Sequence, residues 1–117
     1  MRDPKADRLR ILHMVDAIDF IAQHARPDIE AYRSDPLLRF ATIKQIKIIG
    51  EAAYHLTKEL RAAHPEVPWA QVMGMRHRLV HDYYSIDLQF VFDVVMTYAP
   101  SLRPQLVAIL DTLPPLE

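Results

Sequence analysis

The chain has 117 residues, half of them apolar and a quarter charged, with a formal net charge of −1 and no cysteine. That length and composition imply one globular domain, 1–117, with a real core, and they exclude disulfides, thiolate metal sites, iron–sulfur clusters and cysteine nucleophiles. A net charge near zero also excludes the global basic excess of a non-specific nucleic-acid binder, so any RNA contact must come from a local patch. The opening Met1-Arg2-Asp3-Pro4-Lys5-Ala6-Asp7 carries charges where a signal peptide needs an apolar run, and no segment offers about 20 uninterrupted apolar residues. The expectation is a cytoplasmic protein with no membrane contact.

With glycine only at positions 50 and 74, the tight turns of β-hairpins are scarce, while apolar residues recur at three- and four-residue steps. An all-α bundle of about four to five helices is expected. Asp7 is placed to cap a first helix running to His24, with Leu9, Ile11, Leu12, Val15, Ile18, Ile21 and Ala22 on its apolar face. Pro27 interrupts the pattern, and Asp28 opens at most a single turn. Asp35-Pro36, a cap followed by proline at the first helical position, starts a long helix read through Ala62. Its stripe is Leu38, Ala41, Ile46, Ile49, Ala53, Leu56 and Leu60. Gly50 inside that helix costs about 1 kcal/mol relative to alanine, so close packing of a second helix is expected there.

Pro68 is placed to start a third helix with Trp69, Val72, Met73, Arg76 and Val80. Ser85 is the expected cap of a fourth, holding Ile86, Phe90, Val94 and Val95, which Pro100 should end near Tyr98. A last helix carries Leu106, Ile109 and Leu110.

Reactive side chains concentrate in Arg76-His77-Arg78-Leu79-Val80-His81-Asp82-Tyr83-Tyr84. On a helix His77 and His81 lie one above the other, and Arg76 and Tyr83 share a neighbouring stripe if helix persists that far. Histidine moves a proton near neutral pH, and arginine holds a phosphate through paired hydrogen bonds. For RNA, a base can deprotonate the 2′-hydroxyl while an arginine stabilises the charge gathering on the attacked phosphate, a route that needs no metal. His13 and His55 have no second ligand at matched spacing, so no metal site is expected.

Arg76, four residues, His81, one residue and Tyr83 make an Arg-x4-His-x-Tyr pattern that resembles the motif of HepT-like toxins in the HEPN superfamily. Ile49-Gly50-Glu51-Ala52-Ala53 resembles that family's second-helix signature, and Pro68-Trp69 ahead of Gly74-Met75-Arg76 resembles its approach to the motif. The resemblance implies a helical bundle that dimerises so that two motifs face each other in a composite, metal-independent endoribonuclease site without a cofactor. It implies Arg76 and His81 as catalytic and His77 as auxiliary. It also implies pairing, in a toxin–antitoxin system, with an MNT-type nucleotidyltransferase antitoxin that transfers AMP to Tyr83, adding bulk and negative charge where RNA phosphate would bind. The reading from another class is a non-catalytic partner of a nucleotidyltransferase, or of its nucleotide, using the same cleft.

Beside that site the plainer assignments are an exposed Asp82, a packed Tyr84, and Trp69, Phe90, Phe92 and Tyr98 in core or dimer packing. Glu51 is expected as a buried carboxylate holding Arg76 by an ion pair.

Overall fold

The computed structural model describes residues 3–78 and 86–115. The first helix, α1 (Pro4–His24), begins one turn earlier than expected, because Asp3 provides the cap by accepting from the Ala6 N–H and Pro4 occupies the first helical position. Asp7 is therefore inside the helix and fully buried. Of the expected apolar face, Ile11, Val15, Ile18 and Ile21 are buried, joined by Met14 and Ala17, whereas Leu9 points to solvent.

Asp28 caps a short α2 (Ile29–Ser34), whose Tyr32 is buried and accepts a hydrogen bond from the Arg26 N–H. Asp35 and Pro36 start α3 (Pro36–His55) as expected, with the Asp35 carboxylate accepting from the Leu38 N–H. The helix read through Ala62 is instead divided. Leu56 adopts an extended conformation, and Thr57 caps a separate α4 (Lys58–Ala63) by accepting from the Leu60 N–H.

The cause of that division lies in α1. Asp7 Oδ1 accepts from the Thr57 N–H at 2.9 Å, and its Oδ2 accepts from the Thr57 hydroxyl at 2.6 Å. A helix running through this point would commit the Thr57 N–H to a carbonyl one turn back and leave the buried carboxylate without that donor.

Helix α5 (Trp69–Arg78) follows Pro68 as expected, and the Trp69 indole anchors its start by donating to the His64 carbonyl at 2.9 Å. Asp87, not Ser85, caps α6 (Leu88–Asp93), accepting from the Phe90 N–H, so Ile86 precedes the helix. Ser85 itself lies outside the described residues.

Pro100 does not end the helical path. A π-helical turn over Val94–Tyr98 joins α6 directly to α7 (Ala99–Leu110), with the Ala99 N–H donating to the Val94 carbonyl five residues back. Proline lacks an N–H and its ring crowds the carbonyl four residues earlier, and widening the turn makes room for both defects. Val91, Val95 and Ala99, spaced four residues apart, are all buried across this segment.

Helix α3 is central, packed against α1 on one side and α5 on the other, while α7 lies along α1. Arg8 clasps the end of α7 by donating to the carbonyls of Leu110 and Leu113. The molecule measures 43 × 27 × 24 Å, is all-α, and has no strand among the described residues. The expected four to five helices become more segments because the second is divided and α2 is a true helix. Among the described residues no helix is long and apolar enough to cross a membrane.

Asp7→Ala leaves two part-buried Thr57 donors without their acceptor, so a stability loss of about 2–3 kcal/mol is expected. Urea unfolding of the variant checks this, and a midpoint equal to wild type would remove Asp7 from any role in joining α1 to α4.

Candidate functional site

Arg76 emerges in the last turn of α5 where that helix crosses α3 at Gly50. A Cβ built on Gly50 would lie 3.2 Å from both the Arg76 Cβ and the Arg76 backbone nitrogen, and 3.3 Å from the Val72 carbonyl oxygen. Gly50 has no positive φ, so its value is space rather than conformational freedom. The close packing expected at this glycine is thus contact with the motif arginine itself.

The same face of α3 holds the rest of the side chain. Glu51 Oε1 accepts from Arg76 Nη1 at 2.7 Å. One turn further on, Tyr54 places its ring 4.1 Å from the Arg76 guanidinium carbon, a cation–π contact. Arg76 Nε donates to His77 Nε2 at 3.1 Å. His55 Nε2 lies 3.6 Å from the other Glu51 oxygen, and its ring meets Tyr54 edge-on.

The expected Glu51–Arg76 ion pair is present, but with burial reversed. The arginine side chain is only 19% exposed and the glutamate 54%. The hydrogen bond from Arg76 holds the Glu51 carboxyl below its usual range against an opposing effect of burial, and the charges of Arg76, His55 and His77 add to it in smaller measure. Glu51 is therefore ionised at neutral pH, and Arg76 reaches the surface with its orientation set.

Among the described residues of the reactive cluster, Arg78 does not join Arg76 and His77. Arg78 is two residues beyond Arg76, about 200° around the helix, and its guanidinium carbon lies 4.1 Å from the Phe90 ring on α6. There it borders a groove of about 430 Å³ between α5 and the α6–α7 path, lined by Val72, Gly74, Met75, Phe90, Tyr98 and Leu102. Trp69 and Phe90 are core residues, whereas Tyr98 is exposed. Arg76 and His77 are thus brought together and Arg78 is turned away. His81, Asp82, Tyr83 and Tyr84 lie outside the described residues.

Tyr54 is not singled out by the sequence reading, and His55, which lacks metal-ligand spacing, stands beside it next to Glu51. Their signal was present: positions 50, 51, 54 and 55 fall within one face of a helix already assigned, beside a glycine that demanded a close neighbour.

The two glycines should respond oppositely to alanine. At Gly74 a Cβ meets nothing within 4 Å, so Gly74→Ala should stabilise by roughly 0.5–1 kcal/mol. At Gly50 the same gain is opposed by backbone overlap, for which overpacking costs about 1–3 kcal/mol, and a net loss is expected. Thermal unfolding of the two variants separates them. The Glu51 contribution to stability is present above its ordinary pKa of 4.5 and is lost as pH falls through the lowered folded value. A carboxyl NMR titration should give a Glu51 midpoint under 4.5 that rises in Arg76→Ala.

Comparison with known proteins places this geometry in a family. The ribonuclease HepT-like family model matches residues 14–109, a span that includes both α3 and the whole of α5. Among relatives whose names assign them provisionally as RNases, RNase TTE0752 of Caldanaerobacter subterraneus subsp. tengcongensis is 31% identical over 92% of this chain and 96% of its own length. The similarly assigned ribonuclease HepT of Thermococcus cleftensis is 32% identical over 77% of this chain and 83% of its own. RNase MJ1380 of Methanocaldococcus jannaschii is 30% identical over 89% and 94%. No solved structure gives a match. An all-α bundle with a motif arginine braced between its two central helices, matched over most of its length by one family model, belongs to the HepT-like ribonuclease family of the HEPN superfamily.

Proposed function

We infer that this chain is an endoribonuclease toxin that cleaves RNA without a metal ion, and that Arg76 and His81 are its catalytic residues. The observation that carries this reading is the guanidinium of Arg76, held in place at the surface by Glu51, Tyr54 and His77. Such a group suits a phosphodiester gaining negative charge, because its donors are oriented before the charge develops.

In the proposed reaction His81 takes the proton of a ribose 2′-hydroxyl. The 2′-oxygen forms a bond to the adjacent phosphorus, the bond from phosphorus to the 5′-oxygen breaks, and a protonated general acid supplies a proton to that leaving oxygen. The products are a 2′,3′-cyclic phosphate and a 5′-hydroxyl, with no oxidant or further reactant. Arg76 stabilises the charged phosphorane oxygens, and His77 serves as an auxiliary that holds Arg76 Nε.

A homodimer that sets two motifs face to face supplies both a base and an acid. The cognate partner in this reading is an MNT-type nucleotidyltransferase antitoxin that transfers AMP to Tyr83. An added phosphate competes with substrate phosphate for Arg76, so the modification opposes RNA binding.

The test is RNA cleavage in EDTA by phosphodiesterase-treated protein whose Tyr83 is shown to be unmodified by mass spectrometry. Wild type should cut RNA, with Arg76→Ala and His81→Ala each lowering the rate about 10²-fold or more. Tyr83→Phe should no longer gain the AMP mass when incubated with the nucleotidyltransferase and ATP. Folded, unmodified wild type that leaves diverse RNAs intact would overturn catalysis in favour of a non-catalytic partner of the nucleotidyltransferase.

A further inference from the structure

We propose that Glu51 and Tyr54 are positioning residues for Arg76, and that the Glu51 charge weakens resting phosphate affinity while fixing the direction in which the guanidinium presents its donors. The kinetic part of this inference rests on the ribonuclease reading. The part concerning guanidinium order stands without it.

An arginine side chain has several rotatable bonds, and one contact would leave it a choice of orientations. Here each degree of freedom meets a different group. Gly50 brings the α3 backbone against the Arg76 Cβ and so sets where the stem starts. Tyr54 lies 4.1 Å from the guanidinium carbon and restrains the group from its ring side. Glu51 at 2.7 Å from Nη1 and His77 at 3.1 Å from Nε pin two of its edges. These hydrogen bonds engage two of the five N–H donors of a guanidinium, so the restraint need not consume its capacity for phosphate.

Glu51 has two effects on an incoming phosphodiester, and they differ in sign. Its carboxylate is half exposed and ionised beside the same guanidinium, so it repels the substrate phosphate and offsets part of the attraction of Arg76. Its hydrogen bond holds donors in the orientation required when charge on the phosphate is greatest. The first effect raises KM, and the second raises kcat, because orientation gained before the reaction is worth more in the transition state than in the initial complex. A residue that only supported the fold would not separate the two constants in this manner.

Glu51→Gln keeps an acceptor oxygen at the same reach and removes the charge, whereas Glu51→Ala removes both. Steady-state cleavage of a short RNA should show Glu51→Gln with KM lowered about 5-fold and kcat reduced less than in Glu51→Ala. Glu51→Ala should lose about 10-fold or more in kcat through misplacement of Arg76. Both variants should melt near wild type, since Glu51 is at the surface.

The second measurement is the NMR signal of the Arg76 Nε–H, assigned by its disappearance in Arg76→Lys and followed during titration with inorganic phosphate. That signal should be sharp in wild type and Tyr54→Phe, and broadened in Glu51→Ala and Tyr54→Leu. Phosphate should bind Glu51→Gln more tightly than wild type. An unchanged Arg76 signal in Glu51→Ala, or equal scaling of KM and kcat across the Glu51 variants, overturns the proposal. If wild type cuts no RNA while the Arg76 signal depends on Glu51 and Tyr54 as described, the ribonuclease reading fails and the positioning role stands.

Discussion

The close crossing of α5 over α3 at Gly50 is the constraint on which the site depends. A side chain at position 50 would begin 3.2 Å from the Cβ and the backbone nitrogen of Arg76, tighter than ordinary contact, and glycine removes that crowding. Once that approach is made, the next turn of α3 is at the right depth for Glu51 to meet the guanidinium edge and for Tyr54 to meet its plane. A methyl group at position 50 would act on all three contacts together, because α5 moves as a rigid element. The helix-weakening glycine and the ordered arginine are therefore one feature seen from two helices.

A second set of polar contacts keeps those helices in register. Asp7, buried in α1, takes both donors of Thr57 just after α3 ends, so it ties the central helix to its neighbour and redirects the chain into α4. Arg8, the next residue, caps the far end of α7. Adjacent residues on α1 thus secure the turn after α3 and the end of α7, and the apolar stripe between α1 and α3 can pack without polar groups left unpaired. Among the described residues no buried side-chain nitrogen or oxygen lacks a hydrogen-bond partner.

Much of this was legible in the residues. Asp35-Pro36 and Pro68 announced helix starts by fixed backbone chemistry, and Gly50 with Glu51 announced a close, charged contact with the motif arginine. What escaped was non-local or a matter of degree. Asp7 reads as a cap from its neighbours alone, because its real partner is Thr57, 50 residues away. The break after His55 was hidden for the same reason, since Leu56 and Leu60 continue the apolar spacing. Glu51 reads as a buried carboxylate that needs the arginine as its partner, yet the covered member is Arg76. Tyr54 carried no charge or motif to single it out, and its role emerges only from the stacking of α5 on α3.

The π-helical turn at Val94–Tyr98 makes length itself a carrier of information. A wide turn holds one residue more than the α-helical path needs, so α6 and α7 are joined with a phase slip between them. Phe90, against which Arg78 rests, and Leu102, on the far wall of the same groove, share that groove only because the slip is there. Wound as an unbroken α-helix, the same residues would rotate one wall by about 100° relative to the other, and the wide turn keeps the walls aligned by absorbing the additional residue. In this segment the number of residues specifies the surface as firmly as their identities do.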